Sequence, residues 1–336
     1  MQLAKKNFLW VLLVAAAAAS AAIYYYQRPG AAPKTLEPLV LGYSQGLPDI
    51  PTLIAEEKGF FRDEGLDVRS QKYAAGKLAL DALLRSEVDV ATAAVTPIAL
   101  QSLRAKQFSI VGQFVQYSSV ELLTRAETQI RSPADLQGHR VGVMAGTSAQ
   151  YFLDTLLVDS GIASTGITEV EIPAAQSVDA LVQGRVDAVA AFVPAGYYAR
   201  AALGDRAQTI PYDKVRYRES FQFVTRRDYP KAHAVAVQSL LRATARAIAW
   251  ARANREEAIA IVTRRSQLDG KIVAQLWDEY RLSLGLDQAL LGSLESQARW
   301  AIGKGLGDAA AMPNYLDFVD SSALQAVDPK AVTMIH

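Results

Sequence analysis

Cysteine is absent from this chain of 336 residues, and histidine occurs only three times. Without cysteine the chain has no disulfides, no thiolate metal sites, no thiol nucleophile and no lipid-modified N-terminal cysteine. The histidines, His139, His233 and His336, lack the spacing of metal ligands. The sequence also gives no means of pairing two carboxylates across a cleft. We therefore expect no metal, no cofactor and no enzymatic activity.

A strong charge of either sign is missing as well. The 35 Lys and Arg residues nearly balance the 34 Asp and Glu residues, which leaves a formal charge of +1 and no long run of one sign. Proteins that bind nucleic acids usually carry a clustered basic surface. Nucleic acid is therefore not expected as a partner.

A hydrophobic run lies at the N-terminus, where Lys5 and Lys6 precede an apolar segment from Phe8 to Tyr26. This pattern is typical of an export signal or a membrane anchor. Ala19-Ser20-Ala21 offers small residues for cleavage, but the run reaches the ~17 to 25 residues that span a bilayer. The sequence favours an uncleaved anchor in the inner membrane, with a cleaved signal as the alternative. We assign residues 1–35 to this anchor and its linker, and the rest of the chain to the periplasm.

A short internal repeat is the most informative pattern. The segment Asp81–Asp89 recurs as Asp179–Asp187, and each copy leads through an apolar stretch to a proline, Pro97 or Pro194. Each copy predicts a helix, a turn, a buried strand and a loop at the carboxyl end of that strand. Since the chain is long enough for two cores, the repeat indicates two lobes of similar build. Chance similarity in an alanine-rich chain is the alternative.

Strands and helices alternate along both halves of the chain. This alternation predicts an α/β fold in which each lobe has a mostly parallel sheet flanked by helices. The candidate crossings between the lobes are the polar stretch Gln116–Ser119, which lies between two extended segments, and the extended segment Phe221–Thr225. The predicted boundaries are residues 36–118 plus 222–336 for the first lobe and residues 119–221 for the second lobe. The helical C-terminal segments are expected to pack on the first lobe.

The sharpest local signal for a binding site is the turn Gly146-Thr147-Ser148, which leads from a predicted strand into a predicted helix. A helix N-terminus has unpaired N–H groups and a partial positive charge, so this turn can hold an oxyanion without a cationic side chain. The alternative is that Thr147 or Ser148 only caps its own helix.

Other strand-to-helix turns are expected to meet this one. In open α/β sheets a ligand binds outside the carboxyl ends of the strands, so such turns converge on one crevice. Aromatic side chains near the turns, Tyr197 among them, could form its walls. The predicted ligand contacts are Tyr43, Ser44, Gln45, Gly46, Tyr73, Ala75, Gly76, Thr96, Tyr117, Gly146, Thr147, Ser148, Phe192 and Pro194.

Several motifs occur in order along the chain: Gly59-Phe60-Phe61, the segment from Gly76 to Asp89, Ser132 to Gly138 with Val141-Gly142-Val143, and Gly184 to Ala188. Together they resemble the nitrate, sulfonate and taurine group of periplasmic solute-binding proteins. The resemblance implies a two-lobed type II binding fold that closes on its ligand. It also implies delivery of that ligand to an ABC importer, which consists of a membrane permease and a cytoplasmic ATPase.

One departure from the family pattern bears on the ligand. Sulfonate binders commonly show Trp-Asp-Pro where this chain has Phe192-Val193-Pro194. Loss of the acidic residue makes the pocket more apolar and disfavours a taurine-like ligand with an ammonium group. The expected ligand is a small anion that resembles a sulfonate, nitrate or carboxylate, and the expected receptor is a monomer.

Two other functions stay open. A membrane-tethered sensor would pass the same ligand signal to a signalling partner instead of a transporter. A binder or synthase of thiamine pyrimidine precursors would share the fold family. Those synthases depend on histidine and cysteine chemistry in the cytoplasm, which does not match a cysteine-free chain with an export segment.

Overall fold

The strands of the chain form two separate sheets. The computed structural model describes residues 36–44, 46–104, 107–118, 120–212, 218–308 and 312–335. The strands in these ranges are β1 (Glu37–Ser44), β2 (Leu66–Tyr73), β3 (Val90–Ala94), β4 (Phe108–Tyr117), β5 (Val120–Arg125), β6 (Arg140–Val143), β7 (Thr168–Glu171), β8 (Ala188–Phe192), β9 (Ala207–Ile210), β10 (Glu219–Arg226) and β11 (Arg281–Gly285).

Helices connect most of these strands. They are α1 (Ile50–Glu57), α2 (Phe60–Asp63), α3 (Gly76–Leu84), α4 (Val95–Ser102), α5 (Ser148–Asp159), α6 (Ser177–Val182), α7 (Ala195–Leu203), α8 (Tyr229–Ala232), α9 (Ala234–Ala253), α10 (Arg255–Ser266), α11 (Gly270–Leu276), α12 (Gln288–Gly303) and α13 (Ser322–Val327). Within the described ranges, none of the helices is long and apolar enough to cross a membrane. The predicted N-terminal anchor lies outside the described residues.

The first sheet has the strand order β11-β4-β10-β3-β1-β2. Strand β1 pairs in parallel with β2 and β3, whereas β10 runs antiparallel between β3 and β4. The second sheet has the order β7-β6-β8-β5-β9, with β6 parallel to β7 and β8 and with β5 antiparallel to β8 and β9. The prediction of an α/β fold with two sheets and flanking helices is confirmed, and both sheets contain parallel and antiparallel pairs. We call the parts built on these sheets the first lobe and the second lobe.

The chain passes between the lobes twice, from β4 to β5 and from β9 to β10. The second passage lies earlier than the sequence predicted, because β10 already begins at Glu219 and pairs with Tyr117 of β4. The segment Phe221–Thr225 therefore belongs to a central strand of the first sheet. The residues from Glu37 onward form one compact unit, so the proposed lobe boundaries stay a prediction.

The sequence repeat corresponds to a repeated structural unit. The Asp89 carboxylate accepts a hydrogen bond from the N–H of Val40 at 2.9 Å, and the Asp187 carboxylate accepts one from the N–H of Arg140 at 3.0 Å. Both aspartates thus bind the neighbouring parallel strand just before their own strand begins. The pairing of β1 with β3 and of β6 with β8 is equivalent, with Gly42 and Gly142 in matching positions.

The C-terminal helices cover the first lobe. Helix α9 packs against α1, α2 and α13, and α12 packs against α4. Strand β3 is buried along its whole length, as expected for a strand that is covered on both faces. The carboxyl ends of β1, β2 and β3 and the start of α5 are left to face the space between the lobes.

Candidate ligand-binding site

A cavity of about 90 Å³, measured as the space open to the centre of a water molecule, lies between the lobes. We call it the cleft cavity. The first lobe lines it with Ser44, Gly46, Pro48, Ala74, Ala75, Gly76, Lys77, Ala94, Pro97, Tyr117, Phe221 and Tyr280, and the second lobe with Thr147, Ser148, Phe192 and Val193. Both lobes must therefore approach each other to complete it.

More than half of the contacts predicted from the sequence lie at this cavity. They are Ser44, Gly46, Ala75, Gly76, Tyr117, Thr147, Ser148 and Phe192. Six of these residues belong to predicted strand-to-helix turns, whereas Tyr117 and Phe192 are two of the predicted aromatic walls. Their contact with a ligand remains a prediction.

Other predicted contacts do not line the cleft cavity. Tyr43 is a core residue with 1% of its surface exposed, because side chains alternate along β1 and Ser44 faces the cavity. The Tyr73 hydroxyl donates to Gln71 Oε1 at 2.9 Å. The Thr96 hydroxyl donates to Gln297 Oε1 at 2.6 Å, which directs it towards α12.

Gly146 and Pro194 do not line the cleft cavity either. Gly146 lies against the Lys77 side chain. Pro194 follows a cis peptide bond and, with Tyr197, lines a different cavity beside α7. Gln45 lies outside the described residues.

The structure adds residues that the sequence did not single out. Tyr280 stacks on Tyr117 with the ring centroids 4.7 Å apart. Lys77 follows Gly76 directly, so the same turn could have indicated it. Tyr280 and Phe221 carry no local signal, because they reach the cavity from distant parts of the chain.

The first turn of α5 is open towards the cleft. The Thr147 hydroxyl donates to the carbonyl oxygen of Met144 at 2.6 Å, and it makes no capping bond to the helix. The Ser148 side chain instead lies beside the Glu219 carboxyl group of β10 in the first lobe, and it lowers the pKa of that group. The alternative that these residues only cap their own helix is therefore not what the structure shows.

The first turn of α3 is also uncapped and lies at the same cavity. Ala75 precedes the helix in an extended conformation and provides no side-chain cap. Gly76 has no room for a Cβ atom, which would lie 3.0 Å from Phe221 Cε1 and 3.1 Å from the Thr92 oxygen. Two helix N-termini, one from each lobe, thus converge on the cleft cavity.

Two fully buried carboxyl groups stand behind the cavity serines. Asp49 Oδ2 lies 2.7 Å from Ser44 Oγ and accepts from the Ser44 N–H at 3.1 Å. Glu219 Oε1 accepts from the N–H groups of Val95 and Ser220, each at 3.2 Å. Burial raises the pKa of Asp49 to about 7 and the pKa of Glu219 to about 7.

A cross-lobe contact beside the cavity joins α12 to the second lobe. Trp300 Nε1 donates to Asp154 Oδ2 at 2.9 Å, and Lys304 Nζ lies 2.8 Å from Asp154 Oδ1 and 3.3 Å from Glu169 Oε2. We call these four residues the interlobe latch. Opening of the cleft would separate its partners.

The arrangement suits a small anion with an apolar part. Uncapped helix N-termini and serine hydroxyls are donors for an oxyanion. Pro48, Pro97, Phe192 and Phe221 supply apolar walls. In the described part of the chain, no group of three or more His, Asp or Glu residues could hold a metal ion.

Two α/β lobes with a cleft cavity between them define a two-lobed binding-protein fold. A family model described as NMT1/THI5 like matches residues 49–258, and the chain belongs to this family. The chain is 25% identical over 251 residues to an aliphatic sulfonates-binding protein of Escherichia coli (strain K12), a match that covers 74% of this chain and 77% of the relative.

Solved structures confirm the periplasmic-binding-protein fold. The periplasmic aliphatic sulphonate binding protein SsuA from Escherichia coli is similar with a TM-score of 0.70 and 21% identity, over 84% of this chain and 99% of that protein. The periplasmic nitrate-binding protein NrtA from Synechocystis PCC 6803 is similar with a TM-score of 0.69 and 15% identity, over 88% of this chain and 89% of that protein.

An enzyme shares the fold as well. The desulfurization enzyme DSZB is similar with a TM-score of 0.68 and 16% identity, over 88% of this chain and 99% of that protein. The fold by itself therefore does not separate binding from catalysis.

Proposed function

We propose that this protein is the substrate-binding component of an ABC importer, that it is exported to the periplasm, and that as a monomer it binds a small anion in the cleft cavity. The observation that carries the proposal is the convergence of the uncapped N-termini of α3 and α5. Their partial positive charges favour an oxyanion such as a sulfonate, carboxylate or nitrate.

The lining of the cleft cavity favours an anion with an apolar tail. Phe192, Val193, Phe221 and two prolines line it, whereas the charged residue among the lining positions is Lys77. Because Val193 stands where the sulfonate-binder motif has an acid, an ammonium group on the ligand would find no carboxylate there. Two proteins similar to this chain are named as binding proteins for aliphatic sulfonates and for nitrate, and these names support the same class of ligand.

A thermal-shift screen of the full-length protein tests the proposal. The panel contains nitrate, alkane- and arylsulfonates, taurine, carboxylates and thiamine-type pyrimidines. We expect selective stabilisation by a sulfonate or carboxylate with an apolar tail, of roughly 2.7 kcal/mol at a hundredfold excess over Kd. Stabilisation by taurine or a pyrimidine alone, or by no anion, would contradict the proposal.

The substitution Ser148→Ala tests the place of binding. It removes a hydroxyl at the start of α5, and a hydrogen bond to a charged group contributes roughly 1.5 to 3 kcal/mol. We expect at least about tenfold weaker anion binding by calorimetry, with little change in melting temperature. The control is Ser164→Ala, an exposed serine of the same lobe that does not line the cavity. Equal affinity in the two variants would exclude Ser148 from the site.

Experiments can distinguish two other functions from that of an importer subunit. A tethered sensor would use the same cleft but would co-purify with a signalling partner, whereas an importer subunit would co-purify with a permease. The fold shared with DSZB makes an enzyme the remaining candidate. Turnover of a bound sulfonate would support an enzyme and contradict a receptor.

A further inference from the structure

Each lobe contributes one serine to the cleft cavity, and a buried carboxyl group of the first lobe stands behind each of them. Asp49 lies next to Ser44 of β1, and Glu219 lies next to Ser148 of α5. Both serines line the cavity, whereas neither carboxyl group does. The carboxyl groups therefore act on a ligand through the serines.

The charge of each carboxyl group decides which way its serine hydroxyl points. A serine has one hydroxyl hydrogen and two acceptor lone pairs, and an ionised carboxylate only accepts. Next to an ionised Asp49, Ser44 must give its hydrogen to Asp49 and can offer only lone pairs to a ligand. Next to a neutral Asp49, the acid donates to Ser44, and the serine is free to donate into the cavity.

The surroundings of Asp49 favour its neutral form. The side chain has no exposed surface, and within the described residues its Oδ1 atom has no hydrogen-bond partner. The titratable groups that face it are Glu56 of α1, Tyr43 of β1 and Tyr117 of β4, all of them acids. An ionised carboxylate would be costly there, since a buried charge needs partners for both oxygen atoms.

Glu219 has a similar environment on the other side of the cleft. Val95 and Ser220 donate backbone N–H groups to Oε1, and the Ser148 side chain lies beside the carboxyl group on the side of the second lobe. The titratable groups around it are Tyr117 of β4, and Arg218 and Tyr151, which line a second cavity together with Glu219. Burial raises the pKa of both carboxyl groups to about 7, so both protonation states are accessible near neutral pH.

We propose that Asp49 and Glu219 determine the specificity of the cleft for anions: both are protonated when an anion is bound, and each then directs its serine to donate a hydrogen bond to the anion. This inference rests on the proposed function. Any carboxylate that is ionised in the empty protein takes up one proton from the solvent when the anion binds. Ionised carboxylates would present serine lone pairs to the ligand and would repel it.

Calorimetry of the full-length protein with 1-butanesulfonate, between pH 5.5 and pH 9, tests the inference. The probe is a suitable choice because a sulfonate stays ionised throughout this range. We expect constant affinity below about pH 6 and a loss of about tenfold per pH unit for each carboxyl group above pH 7. Titrations at pH 8 in two buffers with different heats of ionisation should show net proton uptake.

The variants Asp49→Asn and Glu219→Gln remove the titration and keep a neutral donor beside each serine. We expect each variant to have a shallower pH dependence, and the double variant to bind with pH-independent affinity. The control is Asp67→Asn, an exposed acid of β2 that should keep the wild-type profile. Wild-type affinity that does not depend on pH, without proton uptake, would overturn the inference and leave the proposed function intact.

A spectroscopic measurement covers the case in which the variants do not fold. The ¹³C carboxyl signals of Asp49 and Glu219 in the wild type should report neutral acids at pH 7.5 with saturating 1-butanesulfonate. Ionised signals in that complex would overturn the inference. Absence of butanesulfonate binding at every pH would contradict the proposed function for sulfonates, and the inference with it.

Discussion

Gly76 is the residue at which the cleft leaves least room for a side chain. Replacement by alanine would bring Cβ to 3.0 Å from Phe221 Cε1 and to 3.1 Å from backbone atoms of β3, which cannot move easily. We expect Gly76→Ala to lower the free energy of unfolding by about 1 to 3 kcal/mol and to weaken anion binding. Urea unfolding and calorimetry measure these two effects.

Gly292 provides the control for this substitution. It lies inside α12, and a Cβ atom added there would have no neighbouring atom within 4 Å outside its own helix turn. Alanine at this position should leave stability unchanged or raise it by up to about 1 kcal/mol, because alanine favours helix. Equal destabilisation by both substitutions would show that the crowding around Gly76 is not the cause.

Single residues of the site could be predicted from the sequence only where a turn identifies them. Ser44 ends a strand, and Gly76 and Ser148 begin helices, so the local pattern is sufficient for them. Tyr43 belongs to the same predicted turn as Ser44 and is also predicted as an aromatic wall, but neighbouring side chains of a strand point to opposite faces. Glu219 carries no local signal, because its role depends on long-range packing against Ser148.

At the scale of elements, the interlobe latch connects α12 to the second lobe without touching the cleft cavity. Lys304→Met would leave Asp154, which is 6% exposed, without its cationic partner. The closed arrangement would lose stability relative to an open one, and ligand affinity falls with the population of the closed form. We expect several-fold weaker binding of 1-butanesulfonate by calorimetry.

Arg299→Met is the matched control, since Arg299 lies on the same helix and pairs with Glu295 of that helix. It should bind the anion like the wild type. X-ray scattering should also show a larger average radius of gyration for ligand-free Lys304→Met than for Arg299→Met. Identical affinities and radii would show that the latch does not influence closure.

The order and type of most elements followed from the sequence, since apolar periodicity and turn residues are local properties. The repeat around Asp89 and Asp187 even indicated which strands would be equivalent. The exact start of β10 did not follow, because Glu219 and Phe221 join the first sheet through pairing with β4, a contact between distant segments. The latch was not predicted for the same reason.

For the whole molecule, the buried carboxyl groups of Asp49 and Glu219 make stability depend on pH. Their pKa values are raised by burial to about 7, against about 4 in an unfolded chain. The folded state therefore binds more protons between these values. The stabilisation is complete below about pH 4 and is lost as the pH rises through 7.

We expect the wild type to lose stability relative to the double variant Asp49→Asn/Glu219→Gln between pH 5 and pH 8. The difference should be roughly 5 kcal/mol, since each of the two carboxyl groups loses about two pKa units of stabilisation over this range and one unit corresponds to about 1.4 kcal/mol. Urea unfolding at the two pH values measures it, with Asp67→Asn as the control. A constant difference between wild type and double variant would contradict the raised pKa values.

The repeated unit has a geometric consequence for recognition. Equivalent pairing of β1 with β3 and of β6 with β8 gives the lobes the same local framework, and Gly42 and Gly142 occupy corresponding places. In this framework Ser44 corresponds to Met144, two residues after each glycine. A scaffold with such pseudo-symmetry offers the same backbone to both ends of a ligand. The orientation of a bound ligand must therefore be determined by the positions at which the two lobes carry different side chains.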